Sequence, residues 1–171
     1  MTYRKIFVLG GARSGKSGFA ERLAVECGEP ILYVATATAS DAEMAERIAR
    51  HRAQRPSTWR TLEAPTEVAR RVTSEAGVAA TVLVEDLTLL LSNLMLSDTE
   101  CAESHAMAEV EALLALDAHV ILVSNEVGMG VVPEHPLGRY FRDALGRVNQ
   151  AAAAACGEAY LLVAGLPLRL K

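Results

Sequence analysis

Aromatic residues are scarce, at 5% of the chain with a single tryptophan. Single-stranded nucleic acid is held by stacking rings beside basic side chains. With few rings and a net charge of −4, the chain is expected to have no nucleic-acid partner and no general attraction to anionic lipid. The three cysteines, Cys27, Cys101 and Cys156, lie far apart and form no CxxC pair. That excludes the spacing of a zinc site and of a disulfide framework, and it fits a reducing, cytoplasmic setting. No apolar run is long enough to span a bilayer. Nor does a charged start lead into an apolar run and a cleavage site, as in a secretory signal.

What remains is a chain of 171 residues, 51% hydrophobic and 22% charged, of a size for one soluble domain over 1–171 with one core. Short apolar runs at 6–9, 31–36, 81–84 and 119–124 read as buried strands. Helical patterns fall at 16–27, 41–54, 66–76, 98–116 and 138–155, and a terminal strand pair at 160–164 and 168–170. Strands alternating with helices predict an α/β fold of the P-loop type, a mostly parallel sheet with helices on both faces and a short antiparallel pair at its end. Ligands on such sheets bind beyond the carboxyl ends of the strands, where Gly10, Thr36, Glu85 and Asn125 fall.

Gly10-Gly11-Ala12-Arg13-Ser14-Gly15-Lys16-Ser17 matches GxxxxGK[ST] in full, between a strand and a helix. Glycines let backbone N–H groups curl around phosphate oxygens, and the helix N-terminus adds a favourable dipole. Lys16 is placed to reach the β- and γ-phosphates of ATP or GTP, and the Ser17 hydroxyl to ligate Mg²⁺. The metal's acidic partner belongs at the end of a neighbouring strand. Glu85 and Asp86 both qualify, with Glu85 favoured because it comes first after the apolar run. Either is equally a helix cap or a loop charge by type. Glu126, at another strand end, can touch metal or substrate or anchor a loop.

His51 falls near the end of the second helix, four residues after Arg47 and four before Arg55. Residues at that spacing share a face, so the three can converge on a polyphosphate. Positive neighbours disfavour protonation of the imidazole and keep it nucleophilic. A solvated basic face that happens to include a histidine explains the same spacing. His105, His119 and His135 read as structural or exposed, having no ligand-like partner nearby in sequence.

Taken together, these segments resemble the bifunctional adenosylcobinamide kinase / adenosylcobinamide-phosphate guanylyltransferase family of cobalamin biosynthesis. Beyond the Gly10–Ser17 cradle, the resemblance runs through Tyr33-Val34-Ala35-Thr36-Ala37, Asp41-Ala42-Glu43-Met44, Arg47-Ile48 with His51, Arg55-Pro56, Trp59, and Thr61 with Glu63. It continues over Asn125 to Pro133, then Arg139, Phe141-Arg142-Asp143 and Asn149-Gln150. It implies phosphorylation of the aminopropanol hydroxyl of adenosylcobinamide, then transfer of GMP from GTP through a covalent histidine–GMP to give adenosyl-GDP-cobinamide. His51 matches the guanylylated histidine, and Thr36, Glu63 and Glu85 fall in segments lining the nucleotide site. The resemblance also implies a homotrimer with sites between subunits. Asp86 stands where the family often has cysteine, and Leu89-Leu90 replaces a frequent Leu-Trp.

Three other readings compete. A small-molecule P-loop kinase without nucleotidyl transfer keeps the cradle and leaves His51 on the surface. A GTP switch would read guanine with Asn-Lys-x-Asp, which is missing here. A recombinase-like ATPase suits the topology but not the acidity.

Overall fold

A computed structural model describes residues 2–38, 42, 45, 46, 49, 52, 56–75 and 79–171. Seven strands form one sheet in the order β3-β2-β4-β5-β1-β6-β7. They are β1 (Lys5–Gly10), β2 (Ile31–Ala35), β3 (Arg60–Glu63), β4 (Thr81–Glu85), β5 (His119–Asn125), β6 (Glu158–Val163) and β7 (Leu166–Arg169). All neighbours are parallel except β6 and β7, as the apolar runs predict.

Side chains alternate across a strand, and the alternation divides the core in two. Ile6, Val8, Tyr33, Leu83, Ile121 and Val123 pack with Ala20, Leu23 and Ala24 of α1 (Lys16–Cys27). Phe7, Leu32, Val34, Val82, Val84, Val120 and Leu122 pack on the other face. That face is covered by α2 (Val68–Glu75), α3 (Leu87–Ser97), α4 (Ala102–Leu114) and α5 (Pro136–Ala155). Helices therefore lie on both faces, as expected. No helix among the described residues is long and apolar enough to cross a membrane.

Three expectations are corrected. The helix expected at 98–116 is shorter and runs from Ala102 to Leu114. Asp98 ends α3, and its carboxylate accepts from Glu100 and Cys101 N–H, turning the chain into α4 at Ala102. Helix α3 was not expected, although Asp86 caps it and Leu87, Leu90 and Leu91 bury one face. Strand β3 was also missed: it is a short edge strand with only Leu62 buried. Of the helix expected at 41–54, Ala42, Ala45, Glu46, Ala49 and Arg52 are helical. Its other positions, with the proposed start at Ser40 or Asp41, lie outside the described residues.

Candidate active site

The parallel register lines up the strand ends. Ala35 of β2 sits level with Glu63 of β3 and Glu85 of β4, and Gly10 of β1 with Asn125 of β5. Gly10, Thr36, Glu63, Glu85 and Asn125 thus share one rim of the sheet.

The cradle of Gly10 to Ser17 leaves β1 there and enters α1. Gly15 precedes the helix at φ 91°, a conformation that glycine adopts without penalty. Arg13 also has positive φ, at 56°. Gly10 packs so closely that an added Cβ would lie 2.5 Å from Ser14 Oγ and 2.9 Å from the Leu162 carbonyl oxygen. Lys16 is buried, with Nζ 3.4 Å from the Gly11 carbonyl oxygen. Ser14 Oγ is buried with no hydrogen-bond partner. A buried hydroxyl left unsatisfied costs free energy, and at the mouth of an anion cradle a phosphate oxygen is a fitting acceptor. Gly11 has open space around its Cα, and Ala12 and Arg13 are exposed.

Glu85 and Asp86 do different things, and alternation explains why. Glu85 is two residues after Leu83, so it points to the α1 face. There it accepts from the Ser17 hydroxyl, and from Tyr33 Oη at 3.2 Å. Asp86 turns into the other layer. Its Oδ1 caps α3 by accepting from Leu89 N–H at 2.8 Å, and its Oδ2 accepts from Asn125 Nδ2 at 3.2 Å. Burial pushes the Asp86 carboxyl above the usual carboxylate range.

Thr36 locks the same corner. Its hydroxyl accepts from Asp86 N–H at 2.7 Å and donates to the Asp86 carbonyl at 2.8 Å. Asn93 Nδ2 donates to the carbonyls of Thr36 and Pro65. Asn149 Nδ2 donates to the Asn125 carbonyl at 3.1 Å, tying α5 to the end of β5. Asn93 and Asn149 were not assigned this role by the sequence, because an amide inside a helix carries no motif. The Glu126 carboxylate accepts from Gly128 N–H, so it anchors its own loop.

Glu63 is exposed at the end of the edge strand, and its carboxylate lies 3.7 Å from the Arg52 guanidinium. Arg47, His51 and Arg55 lie outside the described residues. His105 and His135 are exposed, and His119 Nδ1 accepts from Arg4 N–H at 2.9 Å at the far end of the sheet.

The described residues hold no cluster of three or more His, Cys, Asp or Glu that could bind a metal alone. Mg²⁺ in phosphate-transfer sites takes one or two protein oxygens plus substrate phosphates. The oxygens of Ser17 and Glu85, together at the cradle, fit that demand.

The sequence profile described as cobinamide kinase / cobinamide phosphate guanyltransferase matches residues 6–170. Bifunctional adenosylcobalamin biosynthesis protein CobP of Pseudomonas aeruginosa is 50% identical over 165 residues, spanning 96% of this chain and 95% of that protein. Bifunctional adenosylcobalamin biosynthesis protein CobU of Escherichia coli is 41% identical over 180 residues, spanning 97% of this chain and 99% of that protein. The protein of the same name from Salmonella typhimurium is likewise 41% identical over 180 residues, with the same spans.

Proposed function

The chain belongs to the cobinamide kinase / cobinamide phosphate guanyltransferase family, and from that premise we propose how one phosphate cradle serves two phosphorus transfers. The enzyme is a bifunctional kinase and guanylyltransferase of adenosylcobalamin biosynthesis. Relatives named as bifunctional do not favour a kinase that lacks nucleotidyl transfer. The observation that carries the reading is the meeting of Ser17 and Glu85 beside the cradle, inside a family match that spans nearly the whole chain.

In the first reaction, the aminopropanol hydroxyl of adenosylcobinamide attacks the γ-phosphorus of ATP or GTP. The new P–O bond forms, the nucleoside diphosphate leaves, and the hydroxyl proton is lost. Such a transfer needs positioning and neutralisation of charge more than covalent help. Cradle N–H groups and Lys16 bind the phosphates. Ser17 and Glu85 would hold Mg²⁺, which supplies charge neutralisation on the phosphates when bound.

In the second reaction, an imidazole nitrogen of His51 attacks the α-phosphorus of GTP and pyrophosphate leaves. A phosphate oxygen of cobinamide phosphate then attacks the His51-bound phosphorus. This gives adenosyl-GDP-cobinamide and frees the imidazole. A covalent intermediate divides one difficult displacement into two in-line steps. Arg47 and Arg55 stabilise charge on the phosphates. Thr36 sets the corner against which the nucleotide sits. Glu63 takes a place at the same rim, where it pairs with Arg52. The helix carrying His51 is expected to move toward the cradle when nucleotide binds.

The single catalytic domain over 1–171 works in the cytoplasm as a homotrimer with sites between subunits. Exposed Met129, Val131 and Val132, beside the rim, suit a subunit contact. Light scattering of the purified protein tests the trimer, and a monomer at micromolar concentration rules it out. Incubation with adenosylcobinamide, Mg²⁺ and ATP or GTP, followed by mass spectrometry, tests the reactions. Adenosylcobinamide phosphate is expected first and adenosyl-GDP-cobinamide second. Accumulation of the phosphate ester alone, with GTP present, would refute the second half.

A further inference from the structure

The C-terminal hairpin takes no part in the chemistry above, yet its tip rests on the cradle. Strand β6 runs beside β1 as far as the pair Gly10 and Leu162, and β7 returns with Leu166 opposite Val163. Only Ala164 and Gly165 join the strands, at φ 51° and 81°. Two positive φ values in succession make the tight turn whose twist matches a hairpin. Asn, Asp and Gly usually fill its first position, so Ala164 is an L residue held against its preference.

This turn delivers Gly165 N–H to the Ser14 carbonyl at 2.9 Å. Approach is close because two glycines face each other: a Cβ on Gly15 would lie 3.2 Å from Gly165 Cα. The Ser14 carbonyl and the Gly15 N–H belong to one peptide group. In a planar trans peptide they point in opposite directions. A carbonyl fixed toward the hairpin therefore fixes the Gly15 N–H away from it. If that peptide flipped, a carbonyl oxygen would replace an N–H donor at the anion site. Neighbouring bonds hold other groups: Ser14 N–H goes to the Gly11 carbonyl, and the Gly15 carbonyl accepts from Phe19 N–H.

Resting on the reading of Gly10–Ser17 as the nucleotide's phosphate cradle, we propose that Gly165 is a positioning residue that pins the Ser14–Gly15 peptide so that Gly15 N–H faces the phosphates. Gly165→Ala tests it cleanly in space, because a Cβ there meets nothing within 4 Å. Its effect comes from φ, which a side chain disfavours, so the tip shifts and the bond to Ser14 is lost.

The experiment is calorimetric binding of the β,γ-imido analogue of GTP with Mg²⁺. It compares the natural protein with Gly165→Ala and Arg169→Ala. Arg169 is on the same hairpin but away from the tip, bonding the Lys171 carbonyl. Gly165→Ala is expected to weaken binding about tenfold, the loss of one well-aimed donor to a charged ligand. Arg169→Ala is expected to keep the natural affinity. Natural affinity in Gly165→Ala overturns the proposal, as does an equal loss in both variants, which would make hairpin stability the cause. If Gly165→Ala does not fold, hydrogen exchange of the natural protein decides: the analogue should slow exchange at Gly165, and an unchanged rate overturns the proposal. Failure of the natural protein to bind the analogue at all refutes the cradle itself, before any variant is compared.

Discussion

The Ser17 hydroxyl, one residue into α1, donates to the carboxylate of Glu85 at the end of β4. Tyr33 on β2 holds the other carboxylate oxygen at 3.2 Å. Three elements of the nucleotide rim thus converge on one acid. Glu85→Gln keeps the shape and removes the charge, so kcat of both reactions is expected to fall about a hundredfold. The Mg²⁺ concentration for half-maximal activity is expected to rise with it. Steady-state assays across a Mg²⁺ titration check this, and an unchanged Mg²⁺ requirement speaks against Glu85.

Asp86 serves as cap and brace. Asp86→Ala removes the acceptor for Leu89 N–H and leaves Asn125 Nδ2 with one partner fewer. It is expected to cost roughly 1–2 kcal/mol of stability, as lost caps do. Asp86→Asn keeps an acceptor for Leu89 N–H but turns an amide N–H toward Asn125 Nδ2, so thermal melts should place it between Asp86→Ala and the natural protein. Equal melting temperatures for Asp86→Ala and the natural protein would dismiss the cap.

Gly10 leaves no room for a side chain, since a Cβ would meet Ser14 Oγ at 2.5 Å and a β6 carbonyl at 2.9 Å. Gly10→Ala is expected to cost about 1–3 kcal/mol from overpacking and to weaken nucleotide binding. Gly11→Ala meets nothing within 4 Å and should melt like the natural protein. Denaturant titration separates the two.

At the opposite end of the sheet, Arg4 N–H needs a neutral His119 Nδ1 as acceptor. Burial, then Arg4 and Lys5, lower the imidazole pKa. A lowered folded pKa means that the stabilisation is complete above the unfolded value of about 6.5 and fades as pH falls through the folded value. Glu158, lowered by its bond to Arg4, adds a second loss further into acid. Melting temperatures measured from pH 8 to pH 5 should fall, and His119→Asn should flatten the upper part of that fall. An identical profile in the variant would show that another group is responsible.

Much of the molecule is legible in its sequence. Helix α1 begins and ends at the residues its pattern sets, because the cradle glycines and Gly28 punctuate it. Strand ends followed from apolar runs, so Gly10, Thr36, Glu85 and Asn125 were expected at one rim and stand there. Helix α3 was missed because Leu87 to Leu91 carries only one polar residue, which hides the period of a helix in a uniformly apolar run. Attention to Asp86 as a cap, three residues before the N–H that it accepts, would have found it. β3 was missed because an edge strand with one buried residue has no pattern to read. The division of labour between Glu85 and Asp86 needed the sheet, since only alternation beside Leu83 turns one acid toward Ser17 and leaves the other to cap α3.

The most direct test of the account concerns His51. The protein is incubated with Mg²⁺ and GTP labelled in the α-phosphate, denatured, and digested, and the label is mapped by peptide mass spectrometry. An acid-labile GMP adduct on His51, absent from His51→Ala, is the expected result, with much of the kinase activity kept by that variant. An adduct that persists in His51→Ala, or no adduct in a protein that binds GTP, would contradict it.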